Sequence, residues 1–415
     1  MNLLEDATKL MEMDQVNEAI ELLNSSIPTA KDDELFAIAE FYIQWGFLVE
    51  AEEVLNKLLV NYPNESELKL LLTDIYIEQQ RDEDAIELLN SIDAEDDSFL
   101  QVLVSLADLY QAQGLFEVAE QKLLQAKHIS PSEVIIDFAL GELYYSLGDF
   151  KRAVTHYEKV LKNDELAISM HERLAESYAN IGEYELALEF YEKDDNKNSD
   201  VLYKYGFTAF QADRKDIAIN VWKELLEEDP YYHTAYMKLA KAYEDEELIE
   251  EAYETTLAGI KVDEFNKELY FLAGSLAHKL NLDEDSEKHV REAVVLDADY
   301  REAVLFLIEL LKEKDKPEDI IDLIHNVKET GGDDPIYDWE IARAFNEIES
   351  YNDALNYYKE AYNSLQHDSD FLKEYGYFLT EEGRTQEAIN VFESYLHLEN
   401  QDDEIVDYVS RLKQL

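Results

Sequence analysis

Cysteine is absent from the 415 residues, which excludes a disulfide framework, a thiolate metal site and a cysteine nucleophile. Stability must therefore come from packing. Only twelve glycines and six prolines are present, and nearly all fall at repeating places, which leaves no spare glycines for a phosphate-binding loop. Cations are scarce as well: 36 Lys and Arg stand against 95 Asp and Glu, a formal net charge of −59. Binding phosphates requires a basic footprint, so nucleic acid is excluded as a default partner and an anionic membrane surface is disfavoured. The N-terminal MNLLEDATKLMEMD lacks a basic region followed by an apolar core, so it does not read as a signal peptide. Apolar runs elsewhere are broken by charge well short of the ~18–20 residues a membrane span needs. These absences predict a cytoplasmic protein with no membrane insertion.

What is present is apolar residue in a regular pattern, 46% of the chain. The stretch Val134 to Glu165 carries apolar residues at helical spacing on either side of Gly148-Asp149, so it reads as two amphipathic helices joined by a tight turn. Gly141 in the first helix and Ala153 in the second are small enough for the backbones to approach where the helices cross, flanked by Tyr144, Phe150 and Tyr157. Steps of 34 residues from Ala153 reach Ala119, Ala85 and Ala51 in one direction and Ala187 in the other. A fresh count from Ala218 meets Ala252, Ser286, Ile320, Ala354 and Ala388, and Ala19 completes twelve copies. The period breaks twice, between Ala19 and Ala51 and between Ala187 and Ala218.

The unit resembles the tetratricopeptide repeat, whose 34-residue pattern places a small residue at position 8, Tyr at 11, Gly at 15, Ala at 20 and often Pro at 32. With Val134 as position 1, the copy matches at 8, 11, 15 and 20 and departs at 32, where Glu165 stands. Gly46, Gly114, Gly148, Gly182 and Gly383 all fall at position 15; Gly141, Gly206, Gly274 and Gly376 all fall at position 8; Pro63, Pro131 and Pro230 fall at 32. The resemblance implies an all-α fold, a superhelical α-solenoid of tandem antiparallel helix pairs. Repeats 1–6 are expected over residues 1–193, an irregular junction over 194–200, repeats 7–12 over 201–400 and a capping helix over 401–415. Repeats 2 to 5 are the most regular, with Tyr42, Tyr76, Tyr110 and Tyr144 read as core. Repeat 10, with Ile308 and Ile320 at the small positions, is expected to be splayed. In the cap, Ile405, Val406, Val409 and Leu412 are expected on one face.

No constellation for chemistry is visible. Asp194-x-Asn196-x-Asn198 lacks the glycine and the closing glutamate of a calcium loop, and Asn281-x-Asp283-x-Asp285 falls inside a second helix by register. His171-Glu172 has no second histidine at zinc spacing, and no G-x-S-x-G is present. The chain is therefore expected to be no enzyme, with no metal and no cofactor.

In the family resembled, first helices line a concave groove, with positions 2, 5, 9, 12 and 13 pointing into it. Position 9 of repeats 2 to 6 reads Glu40, Asp74, Asp108, Glu142 and Glu176, an uninterrupted acidic ladder. Phe138 and Tyr145 in repeat 5, Tyr203, Phe207 and Phe210 in repeat 7 and Met237 in repeat 8 take groove positions, and Phe207 and Phe210 are either a contact surface or packing at the junction. The clamp for a C-terminal carboxylate used by chaperone-binding members is excluded, because position 9 is acidic here. The expected function is a non-enzymatic scaffold that binds a basic or amphipathic segment of a protein or peptide partner. The alternative is a regulatory switch whose superhelix changes shape at residues 193–200.

Overall fold

The computed structural model describes residues 3–163, 170–399 and 401–414. Glu165, Met1, Asn2, Asn400 and Leu415 lie outside the described residues. The chain divides into two units, Met1–Asn196 and Lys197–Leu415. Among the described residues there are 25 helices and no strand, twelve antiparallel pairs followed by a final helix, Asp403–Leu412.

Each of the twelve turns within a pair passes through one left-handed residue. Five are the glycines at position 15, with φ between 71° and 84°; the other seven are Asp14, Gln80, Asp213, Glu247, Asn281, Asp315 and Glu349. A side chain in this conformation crowds its own carbonyl, so glycine is the residue of least cost. The turn is kept even where glycine is missing because it satisfies the carbonyls left over at the helix end. In repeat 5 the Gly148 amide donates to the Tyr145 carbonyl at 3.0 Å and the Asp149 amide to the Tyr144 carbonyl at 2.9 Å, the paired bonds of a Schellman ending. The same longer bond closes repeat 3, from Arg81 to the Tyr76 carbonyl at 2.8 Å, without any glycine.

Packing within a pair turns on position 8. A Cβ added to Gly141 would lie 2.5 Å from the ring of Tyr157, sixteen residues on. The same notch recurs where Gly206 faces Trp222, Gly274 faces Val290 and Gly376 faces Phe392. The missing side chain of Gly141 is thus filled by a ring rather than by Ala153. In repeat 9 the backbones themselves do meet at the twelve-residue spacing, where the Ser286 hydroxyl donates to the Gly274 carbonyl at 2.8 Å. The largest fully buried side chains are these ring partners and their neighbours: Tyr42, Tyr157 and Tyr191 in the first unit, Trp222, Tyr337, Tyr358, Phe371 and Phe392 in the second.

Three expectations need correction. Tyr42 and Tyr144 are buried, but Tyr76 and Tyr110 are only half-buried, and Arg81 lies over the Tyr76 ring at 4.1 Å. Repeat 3 is less regular than its neighbours, because its second helix stops at Asn90 and a loop capped by Asp96, which accepts from the Ser98 amide at 2.8 Å, leads into Phe99–Ala112. On the last helix Ile405, Val409 and Leu412 are buried but Val406 is exposed, since it lies a step of about 100° round the helix from Ile405. As its register predicts, Asp283 lies in a second helix, Asp283–Leu296. Repeat 10 is splayed as expected: Ile308 and Ile320 are both buried, and the helices Arg301–Glu313 and Pro317–Glu329 are the most loosely apposed pair among the described residues. No helix among them is long and apolar enough to cross a membrane.

Candidate functional site

In the first unit, the first helices of repeats 2, 3 and 4 each offer an apolar side chain and, one helical turn on, a carboxylate. Phe36 precedes Glu40, Leu70 precedes Asp74 and Val104 precedes Asp108; the apolar members are half-buried and the three acids are exposed. A spacing of four residues puts both on one helix face. Among the described residues no cation pairs with these three carboxylates. Loss of hydration pushes the Asp108 carboxyl above its ordinary range. The Asp74 carboxyl is raised too, first by loss of hydration and then by the negative charge of Glu78. The protein around each carboxyl makes its ionisation costlier, and a cation brought beside it would offset that cost.

The ladder does not continue unchanged into repeats 5 and 6. Glu142 is half-buried and accepts from Arg173 Nε at 3.0 Å, from Arg173 Nη2 at 3.2 Å and from the Tyr157 hydroxyl at 2.5 Å. Glu176 is only 6% exposed; the Tyr145 hydroxyl donates to it and Arg173 Nη1 lies 3.6 Å away. The guanidinium also covers the Tyr145 ring at 4.7 Å. These two expected rungs are therefore already paired within the chain, and Phe138, half-buried nearby, packs with the core of its repeat. Arg173 was missed by sequence reasoning. Its signal is the one base at position 6 among repeats 1 to 6, one turn before the acid of its own repeat and beside the acid of the preceding one.

A second cluster was missed as well. Asp137, 4% exposed, accepts from Lys127 at 2.6 Å, meets His156 Nδ1 at 2.8 Å and accepts from Lys159 at 3.2 Å. Burial alone would raise its pKa, but these three partners hold the carboxyl below its usual range. Burial pushes His156 down. The cluster ties the second helix of repeat 4 to both helices of repeat 5, which is a structural duty.

The second unit places its sequence-predicted residues differently. Phe207 is 39% exposed with the Lys238 ammonium 5.4 Å from its ring centre. Phe210 is half-buried against Trp222, centroids 6.0 Å apart, and Tyr203 is half-buried against Tyr232 at 5.3 Å. Met237 is half-buried beside the core formed by Ala240 and Leu276. Further on, Arg343 is gripped by Glu374 through Nε at 2.9 Å and by Glu340 through Nη1 at 3.0 Å. Glu374 also accepts from the Trp339 indole at 2.9 Å and the Tyr358 hydroxyl at 2.8 Å. Burial would raise the Glu374 pKa, yet Arg343, Trp339 and Tyr358 hold it below the ordinary range.

The chain matches three family descriptions: YpiA-like C-terminal tetratricopeptide repeats over residues 335–402, YpiA-like tetratricopeptide repeats over 111–165 and tetratricopeptide repeat over 46–102. The TPR repeat-containing protein YpiA of Bacillus subtilis (strain 168) is 37% identical over 415 residues, covering 99% of this chain and 98% of its own. Among solved structures, the C-terminal part of a TPR repeat-containing protein from Cytophaga hutchinsonii is 16% identical, covering 56% of this chain and 96% of that one at a TM-score of 0.48. YrrB, described as a TPR protein with an unusual peptide-binding site, is 18% identical, covering 44% of this chain and 95% of its own at a TM-score of 0.38. The chain belongs to the YpiA-like tetratricopeptide-repeat proteins, a family whose helix pairs serve as a scaffold for protein interaction.

Proposed function

We propose that the first-helix face of repeats 2 to 4 holds a basic, amphipathic segment of a partner protein, its cations meeting Glu40, Asp74 and Asp108 and its apolar side chains meeting Phe36, Leu70 and Val104. The observation that supports this reading is Arg173, which binds two successive position-9 acids from within the chain and stacks on an adjacent tyrosine. Where Arg173 stands in repeat 6, repeats 3, 4 and 5 carry Leu71, Ser105 and Ala139. The three acids before them are left for a cation from outside. A guanidinium suits such sites because it donates in a plane to two carboxylates and covers an apolar surface.

The test is binding of a synthetic peptide that alternates Arg and Leu, followed by stopped-flow fluorescence on the full chain. Replacing Glu40, Asp74 and Asp108 together by Gln slows association and flattens its salt dependence, since charge sets encounter. The control replaces the outward Glu53, Glu87 and Glu117 by Gln, which removes as many charges and leaves the rates nearly unchanged. Equal rates and salt slopes for the two variants sink the proposal. The pH dependence carries a sign. Asp74 and Asp108 have raised pKa values in the free chain, so a cation favours their ionised form and binding expels protons. Affinity then falls as pH drops through the raised carboxylate range, above the ordinary value of about 4.

A further inference from the structure

The loosely apposed repeat 10 leaves an open wedge of about 740 Å³ between the second helix of repeat 9, Asp283–Leu296, and its own second helix, Pro317–Glu329. Its cause is readable in the residues: Ile308 and Ile320 occupy the two positions that most other repeats keep small, so the two helices of the pair stand apart. The buried Leu307 lines the wedge from the first helix, and Leu323 and Val327 line it from the second. Val295, 79% exposed, stands on the opposite wall.

Beside the apolar line Leu323 and Val327 runs a polar line one residue back on the same helix, Asp322 and Asn326, both exposed. Among the described residues the Asp322 carboxylate has no cationic partner. The one cation in the wedge, Arg291, is already held by Glu287 at 2.8 Å and faces Asp319 at 3.7 Å. A cleft walled by two helices, with apolar side chains in a line and an acid and an amide beside them, has the shape and the chemistry to receive a third, amphipathic helix. Its volume falls within the usual range of about 300–1,000 Å³ for ligand sites.

We propose that this wedge is a second docking site, distinct from the first-helix face and independent of it, which takes the apolar side chains of a partner helix whose flanking Lys or Arg residues meet Asp322. Charge complementarity selects the occupant: an acidic rim on an apolar floor repels an acidic helix and a fatty acid alike, and favours a basic helix. Because the cleft lies in repeats 9 and 10, a partner seated in it does not compete for Glu40, Asp74 or Asp108. One chain then carries two sites.

The experiment uses the full chain and a fluorescent synthetic helix with leucines at every third or fourth position flanked by lysines, together with a matched helix in which glutamate replaces each lysine. Anisotropy is expected to show the lysine helix binding and the glutamate helix not. Val295→Lys, at an exposed position that leaves the fold undisturbed, weakens binding about tenfold or more by removing one apolar wall and repelling the probe. Asn326→Trp, which plugs the mouth with a ring, does the same by filling space. All of these measurements are made in the variant with Glu40, Asp74 and Asp108 changed to Gln, so that the first-helix face does not capture the probe, and the lysine helix still binds that variant. Undiminished affinity in both Val295→Lys and Asn326→Trp overturns the proposal, and so does equal binding of the glutamate helix. Loss of binding in the Gln variant also overturns it, because the probe then sits on the first-helix face.

Discussion

At the junction of repeats 5 and 6 the acid Glu142 stands at position 9 and the base Arg173 at position 6 of the next repeat; at the junction of repeats 11 and 12 the base Arg343 stands at position 9 and the acid Glu374 at position 6. The tyrosine at position 24 follows the carboxylate in each case: Tyr157 donates to Glu142, Tyr358 to Glu374. An aromatic ring completes each site, Tyr145 under Arg173 at 4.7 Å and Trp339 under Arg343 at 4.1 Å. The repeat geometry therefore brings position 9 and the following position 6 within ion-pair reach whichever sign stands where. An acid at position 9 is open to a partner only when the next repeat withholds a base, which is the state of Glu40, Asp74 and Asp108.

If that equivalence is real, charges can be exchanged but not removed. Arg173→Met leaves the buried Glu176 and the half-buried Glu142 without their cation. Breaking a buried ion pair costs about 3–5 kcal/mol, and partial exposure of the guanidinium reduces this to about 2–3 kcal/mol. Arg343→Glu or Glu374→Arg alone destabilises repeats 11 and 12 by a similar amount, while the double exchange restores only part of the loss, because the buried Glu340, which pairs with Arg343, is left beside the new glutamate. Urea unfolding midpoints of the two singles and the double measure this coupling. Strictly additive losses would break the comparison.

The two junctions also differ at position 8, where repeat 5 has Gly141 and repeat 11 has Ala342, each with tyrosine sixteen residues on. A Cβ at Gly141 meets the Tyr157 ring at 2.5 Å, so Gly141→Leu forces the ring and its bond to Glu142 aside and costs about 1–3 kcal/mol. Gly141→Ala costs less, and Ala342→Gly only the backbone entropy of a helical glycine, about 0.5–1 kcal/mol. Thermal unfolding followed by helical circular dichroism ranks the three. An array of repeats unfolds in less than one step, so an early transition confined to part of the signal is expected for Gly141→Leu. The smallest effect concerns the turns. Gln80→Gly and Glu349→Gly relieve a left-handed side chain and raise stability by about 0.5–1 kcal/mol, whereas Gly148→Ala lowers it by as much. Unchanged midpoints in all three variants would mean that the turn conformation is imposed by the packed helices alone.

Much of the fold was legible because repetition averages out local ambiguity. Position 15 is left-handed in every pair, so glycine there marked the turn even though seven copies use another residue. Position 20 is small because the two helices meet there. The candidate site was less legible. Glu40, Asp74 and Asp108 stand exposed, but Glu142 and Glu176 were indistinguishable from them by type and position. Only the approach of Arg173 from the next repeat separates them, and a base thirty-one residues from Glu142 signals nothing until the helices are stacked. Tyr76 and Tyr110 carry the same letter and register as Tyr42, yet neighbouring side chains leave them half-exposed.

The sequence by itself determined the helix pairs, their number and where each turns, because these depend on periodicity and on backbone conformations that few residue types accept. It also determined the acidic balance that any partner must answer. The bulk of Ile308 and Ile320 at the small positions also marked repeat 10 as the pair that fails to close. The tertiary structure decided which carboxylates remain available, because that is set by distances between side chains remote in the chain: Arg173 reaches Glu142 across a repeat boundary. Hydration adds the last distinction, since Asp74 and Asp108 acquire raised pKa values only from the protein that surrounds them.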